Sequence, residues 1–218
     1  DLAGFKAATE HAVRLAEQGY LVTYGVRPTA PETGFGYIEA GAVLDELGGC
    51  QVQRFVEKPD SVPAQEYLDS GRFLLNSGMF CFTAGSLIRE LQAHAPELLE
   101  LARVCIEHSP LQTNAGGLMQ ELQGASFAAL PDISIDYAVM ERSARVAVVP
   151  AQFDWSDIGS WKALRELVEA DADCNRAQGD AVFIDSRNTY VQSQGRLVAT
   201  VGVDDLIVVE TPDAILVA

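Results

Sequence analysis

The opening of the chain is what most restricts its fold. Between residues 3 and 18, Phe5, Ala8, Ala12, Leu15 and Ala16 recur on one helical face, and Gly19 stops the pattern. Tyr20 to Val26 (YLVTYGV) follows at once and reads as a buried strand. A helix with one apolar face can bury that face only against a sheet already present. The expected class is therefore α/β. So abrupt a start makes the chain look cut into a larger fold rather than begun.

The rest of the chain alternates in the same way. Arg27 to Tyr37 (RPTAPETGFGY) is loop, and Gln51 to Val56 alternates like a strand before Glu57-Lys58-Pro59. Pro63 to Ser70 is a short helix ended by Gly71; Leu74 to Phe82 is a strand interrupted by Asn76-Ser77-Gly78. Helical patterns cover 84–94 and 96–107, the second started by Pro96 in its first turn. Residues 114–117 break the next segment, Ser134 to Glu141 (SIDYAVME) reads as a helix, and Arg145 to Pro150 as a strand. A helix-like stretch, Trp161 to Ala170, comes after it. From about Asp180 short β-like runs alternate with turn residues, as in a solenoid or a small appended β unit. The last run ends without a stop signal, so both ends look truncated.

With 218 residues and 48% hydrophobic content, the chain can bury one core and a small second unit. Its 31 acidic and 15 basic residues leave a net charge of -16, which argues against a nucleic-acid partner. No run approaches the roughly 18 apolar residues of a membrane helix, and the first residues are no signal peptide, so no membrane partner is expected. Cys50, Cys81, Cys105 and Cys174 lie far apart, with Cys81 and Cys105 in apolar surroundings. That fits a reducing, cytoplasmic setting. His11, His94 and His108 have no metal-ligand spacing, and no acyl-transfer triad is visible.

The stretch Phe153 to Trp161 (FDWSDIGSW) sets Asp154 and Asp157 in a strand-to-helix connection, where α/β proteins place chemistry. A carboxylate there can ligate Mg²⁺; equally, Asp157 or Ser160 can simply cap the next helix. Lys58 is one of three lysines and sits at a strand end before proline, where it can meet a phosphate as a point charge or form an exposed ion pair with Glu57. Thr33 to Tyr37 (TGFGY) lets backbone approach a ligand, or is a plain turn. Asn76-Ser77-Gly78 in an apolar strand marks either a close ligand approach or a bulge around an internally bonded Asn76. Asp136 suits a helix start, and Ser134 does too.

In combination, RPTAPETGFGYIEAG, RFVEKPD, YLDSGRFLLNSGMFCF, SIDYAVMER, FDWSDIGSWKALRE and DDLIVVETPDAILVA resemble bacterial mannose-1-phosphate guanylyltransferases. That family includes bifunctional forms fused to a mannose-6-phosphate isomerase. The resemblance runs over essentially the whole chain in order. It implies a nucleotide-sugar transferase α/β/α layer lacking its N-terminal part, over residues 1–175, then the start of a left-handed β-helix over 176–218. It implies GTP and mannose 1-phosphate as substrates, GDP-mannose and pyrophosphate as products, and Mg²⁺ as cofactor, in the service of polysaccharide biosynthesis. A homo-oligomer is compatible with it. By this resemblance Lys58 holds the sugar phosphate, Asp157 is a catalytic metal ligand, and Gly36, Glu57 and Asn76 line the sugar pocket. Tyr37, Ser77, Asp136 and Asp154 are further candidates for that pocket.

The family's Gly-rich nucleotide loop and its other metal-binding aspartate should precede Asp1, so the chain alone is expected to make little GDP-mannose. Two alternatives stand beside this reading. One is another sugar-1-phosphate nucleotidyl transfer, such as that of glucose 1-phosphate. The other is a non-catalytic assembly module, which would show neither sugar-phosphate affinity nor metal dependence.

Overall fold

The computed structural model of the protein describes residues 1–114 and 117–218 and divides into two compact units, Asp1–Trp155 and Ser156–Ala218. Within the expected break at 114–117, Ala115 and Gly116 lie outside the described residues.

The first unit begins with α1 (Leu2–Glu17), β1 (Leu21–Val26), β2 (Tyr37–Val43) and β3 (Cys50–Val56). Next come α2 (Ser61–Ser70), β4 (Phe73–Cys81), α3 (Ala84–His94) and α4 (Pro96–Glu107). It ends with the paired strands β5 (Leu111–Asn114) and β6 (Gly117–Gln120), α5 (Gly124–Ala128), a π-helical turn (Asp136–Met140) and β7 (Val146–Pro150). Asp1 caps α1 by accepting the Gly4 amide at 2.9 Å, and Gly71 closes α2 in the left-handed conformation at φ 64°.

Five strands pair in the order β1-β4-β2-β3-β7. β7 runs parallel to β1, and its Ala147 and Val148 also meet Gln51 and Cys50 at the start of β3, which closes the sheet on itself. Alternate residues of a strand face opposite sides, and both sides are covered here. On one side Val22, Tyr24, Ala147 and Val149 pack under Ala8, Ala12, Leu15 and Ala16 of α1. On the other, Leu21, Ile38, Val146 and Val148 pack with Ala138, Val139 and Met140, and with Leu87, Leu91 and Leu98 of α3 and α4. This two-sided burial explains why the Arg145–Pro150 run is apolar without alternation.

One strand was not anticipated, and three local expectations change. Residues 37–43 form a strand, although their two-residue alternation is broken by Gly41; pairing with both β3 and β4 holds them extended. The helix expected over 134–141 is a π turn, closed by the Glu141 amide donating to the Asp136 carbonyl at 2.9 Å. Phe5 is not on the buried face: it is 42% exposed and meets Phe153 edge-on, with ring centroids 5.4 Å apart. The helix expected over 161–170 stops at Arg165, as described next.

The second unit contains α6 (Trp161–Arg165), β8 (Arg176–Gln178), β9 (Ala181–Ile184), β10 (Tyr190–Ser193), β11 (Val198–Val201), β12 (Ile207–Glu210) and β13 (Ile215–Val217). Strands β8, β10 and β12 stack in parallel, β9 pairs in parallel with β11, and β13 adds antiparallel to β12. Tyr190, Val191, Val208 and Val209 are buried between the rungs. Tight corners require left-handed residues at Gly179, Asp185, Asn188, Gly202 and Asp205. After Arg165 the chain turns, because Arg165 bonds Asn188 and the Arg176 guanidinium donates to the Val168 carbonyl at 3.0 Å. These ties draw residues 156–175 into the compact unit of the strands, so compactness divides the chain earlier than 175/176.

Candidate active site

β3 ends at Val56, and the chain turns through Glu57 and Lys58 into buried Pro59. Lys58 takes up the left-handed conformation at φ 45°. For a non-glycine residue before proline this costs of order 1–3 kcal/mol, so the surroundings must enforce it. The Lys58 side chain is 61% exposed, with Nζ 3.8 Å from Oε1 of Glu57. At that distance it is a weak partner and free to meet a ligand.

Glu57 is the least comfortable group in the neighbourhood. Its side chain is only 10% exposed, and its Oε2 is buried without a hydrogen-bond partner among the described residues. Burial pushes its pKa above the usual carboxylate value, Asp136 and Glu141 add to the rise, and Lys58 offsets part of it. A buried carboxylate oxygen without a donor costs free energy that a hydroxyl-bearing ligand would recover.

Three further residues meet there. A Cβ on Gly36 would lie 2.5 Å from Oε2 of Glu57 and 3.4 Å from Cβ of Asn76, so any larger residue would displace that carboxylate. The Asn76 amide donates to the Gly36 carbonyl at 2.7 Å. Asn76 sits at a break in the β1–β4 register, where Gly78 is left-handed at φ 70°, so the bulge reading holds. Its side chain is nevertheless aimed at Asp136, donating from Nδ2 to Oδ1 at 3.1 Å. Oδ1 of Asn76 accepts from the Thr23 hydroxyl at 2.7 Å and from the Gly78 amide at 3.2 Å.

The structure thus brings Gly36, Glu57, Asn76 and Asp136 together, with Lys58 beside them. Asp136 opens the π turn as its first residue, and its carboxylate accepts from Asn76. Ser77 is buried in the bulge, its hydroxyl accepting from the Met79 amide at 3.3 Å. Tyr37 is fully buried, packs on Tyr67, and its hydroxyl accepts the Glu32 amide at 2.9 Å. Its side chain therefore shapes the loop before Gly36 from the core side. Trp155 packs edge-on against Phe35, centroids 5.6 Å apart, which joins the FDW stretch to the TGFGY loop; Asp154 beside it is exposed.

Asp157 belongs to the second unit and is exposed. It does not cap α6: Ser160 does, accepting the Ala163 amide at 3.1 Å. A Cβ on Gly159 would come within 2.7 Å of Oδ2 of Asp157, so the glycine keeps that carboxylate clear. Among the described residues no group of three His, Cys, Asp or Glu side chains is arranged to hold a metal by itself. An exposed carboxylate still offers Mg²⁺ a hard oxygen, and that ion draws most of its ligands from water and phosphates.

Two contributors were not singled out from sequence. Thr23, polar inside an apolar strand, was a visible signal. Glu141, whose Oε1 accepts the Glu57 amide at 3.0 Å, offered none beyond its place at the end of SIDYAVME. All four cysteines are free; Cys105 is buried and Cys81 half-buried. No helix among the described residues is long and apolar enough to cross a membrane.

A mixed sheet is covered by helices on both faces and carries its polar cluster at the β3 end, and a stacked β unit follows it; the fold class is that of a nucleotidyl transferase domain followed by the start of a β-helix domain. The chain belongs to the Nucleotidyl transferase family, whose model matches residues 2–173. Residues 179–218 match the MannoseP isomerase/GMP-like beta-helix domain. The chain is 45% identical over 217 residues to the xanthan biosynthesis protein XanB of Xanthomonas campestris pv. campestris strain B100, covering 100% of this chain and 45% of that protein. It is 42% identical over 217 residues to the mannose-1-phosphate guanylyltransferase of Escherichia coli strain K12, covering 98% of this chain and 45% of that protein. A crystal structure described as a mannose-1-phosphate geranyltransferase from Thermus thermophilus superposes with a TM-score of 0.81 at 33% identity, over 100% of this chain and 61% of that one. The chain thus spans less than half the length of these two sequence relatives.

Proposed function

We propose that this chain carries the sugar-phosphate side of a cytoplasmic mannose-1-phosphate guanylyltransferase. Residues 1–175 would provide the sugar-phosphate side of the transferase and 176–218 the β-helix-like unit, a division supported by the family matches to 2–173 and 179–218. The observation that carries the reading is the buried Oε2 of Glu57 beside Gly36, unpartnered among the described residues, with Lys58 exposed at the same turn. A carboxylate oxygen lacking a donor suits a sugar hydroxyl, and a nearby ammonium suits the sugar's phosphate.

In the reaction, a phosphate oxygen of mannose 1-phosphate attacks the α-phosphorus of GTP. A new P–O bond forms as the bond to pyrophosphate breaks, and the electron pair leaves with pyrophosphate. Glu57 and Asn76 would orient the sugar, Gly36 would admit it, and Lys58 would hold and neutralise the attacking phosphate. Asp136 would keep the Asn76 amide in place. Asp157 would be one of two aspartates holding Mg²⁺, which when bound supplies charge neutralisation on the phosphates. Support for mannose and guanine comes from the names of the relatives.

Calorimetric titration with mannose 1-phosphate, with and without Mg²⁺, tests the reading. The chain should bind it, and Lys58→Ala should weaken binding by at least about tenfold, as for loss of a charged phosphate contact. Equal or tighter binding of glucose 1-phosphate would move the substrate to another hexose. Absence of affinity for either sugar phosphate would sink the assignment in favour of a non-catalytic module.

A further inference from the structure

We propose that Glu141 is a positioning residue for Lys58: it holds the Glu57–Lys58 turn by the backbone, and the π-helical turn is what puts it there. This inference rests on the reading of the cluster as a sugar-phosphate site.

The first support is the turn itself. A lysine at φ 45° before a proline is not a conformation the local sequence maintains. On its far side the turn is anchored by buried Pro59, which has no N–H to offer. On its near side the Glu57 amide donates to Oε1 of Glu141 at 3.0 Å, across 84 residues of chain. This charge-assisted bond grips the turn one residue before Lys58.

The second support is the π turn. In a helix of 3.6 residues per turn, side chains five apart stand about 140° apart around the axis. Here the Glu141 amide bonds the Asp136 carbonyl at 2.9 Å, an i→i+5 closure that widens the turn and brings both carboxylates to one side. Asp136 then meets the side-chain amide of Asn76 at 3.1 Å while Glu141 meets the backbone amide of Glu57. One turn braces both walls of the site.

The third is charge. Glu141 lies near the buried Glu57 carboxylate and raises its pKa, so its charge works against the site's most buried acid. What Glu141 contributes is therefore the acceptor oxygen and its placement.

Glu141→Gln keeps an acceptor oxygen and removes the charge; Glu141→Ala removes both. For each variant and the wild-type chain, mannose 1-phosphate affinity and hydrogen exchange at the Glu57 amide would be measured. The expected result is a loss of about tenfold in affinity and faster Glu57 exchange in Glu141→Ala, as one charge-assisted bond is worth. Both should return toward wild type in Glu141→Gln. Wild-type affinity and exchange in Glu141→Ala would overturn the inference, as would a Glu141→Gln variant no better than Glu141→Ala. If Lys58→Ala loses binding and Glu141→Ala keeps it, only the positioning role falls. If the wild-type chain binds no mannose 1-phosphate, the site assignment falls and takes the role of Glu141 with it.

Discussion

Asn76 and Asp136 face each other across the first unit, the asparagine amide donating to the aspartate carboxylate at 3.1 Å from a bulged strand to a π-helical turn. The amide is oriented from behind by Thr23, whose fully buried hydroxyl donates to Oδ1 at 2.7 Å. Thr23 and Asp136 thus hold opposite ends of one planar group.

Thr23→Val keeps the shape and removes the donor. Among the described residues the buried Oδ1 of Asn76 then keeps the Gly78 amide alone, at 3.2 Å. We expect a stability loss of about 1–2 kcal/mol by chemical denaturation, with a weaker response to sugar phosphate. Stability equal to wild type would mean that Asn76 is not held by this hydroxyl.

Gly36→Ala tests the space beside Glu57. The new methyl would sit 2.5 Å from Oε2 of Glu57 and 3.2 Å from Cε1 of Phe55, and the buried carboxylate would have to swing out of the site. Mannose 1-phosphate affinity should fall by at least about tenfold in titration calorimetry, as expected when an orienting group is displaced. Unchanged affinity would show that Gly36 does not border the ligand.

Glu57 should leave a signature in the pH dependence of stability. Its folded pKa lies above its ordinary value of 4.5, through burial first and then Asp136 and Glu141. Between the unfolded and folded values the native state binds more protons, so this group's contribution falls as pH rises through that window. The penalty is fully present above the folded value. Glu57→Gln removes it, so the thermal midpoint of the variant relative to wild type should be more favourable at pH 7 than at pH 4. A difference independent of pH would contradict the assignment.

Asp45 should behave in the opposite sense. Burial would raise its pKa, but the His11 hydrogen bond at 2.7 Å and the Gly49 and Leu47 amides together hold it below 3.8. Its contribution is present above the unfolded value and is lost as pH falls through the lower folded value. Asp45→Ala should cost about 1–3 kcal/mol near pH 7, with the gap to wild type narrowing under strong acid. A gap that stays constant on acidification would show that the carboxylate charge is not what matters.

Helices α3 and α4 could be read in full because their signals are local: periodic apolar positions and Pro96 in the first turn. Gly19 and Gly71 likewise marked the ends of α1 and α2. β2 was not legible, since Gly41 interrupts its alternation and its extended form comes from strands on both sides. The early end of α6 was hidden for a similar reason: Arg165 bonds Asn188, and Arg176 of β8 donates to the Val168 carbonyl. In the site, Lys58, Gly36, Glu57 and Asn76 were nameable from motifs, and Ser160 proved to be the cap that Asp157 was also free to be. Tyr37 shared a motif with them, yet its ring lies in the core.

By itself the sequence determined the α/β class, the order of most elements and the family to which the motifs belong, because periodicity, turn chemistry and motif order are carried by neighbouring residues. Tertiary structure alone decided that Lys58 is left-handed, that residues 136–140 form a π turn, and that Oε2 of Glu57 has no partner among the described residues. Each of these depends on groups far apart along the chain, such as Glu57 with Glu141 and Asn76 with Asp136. Hydrogen bonds and burial at such separations exist only once the sheet has brought the loops together, and no local pattern encodes them.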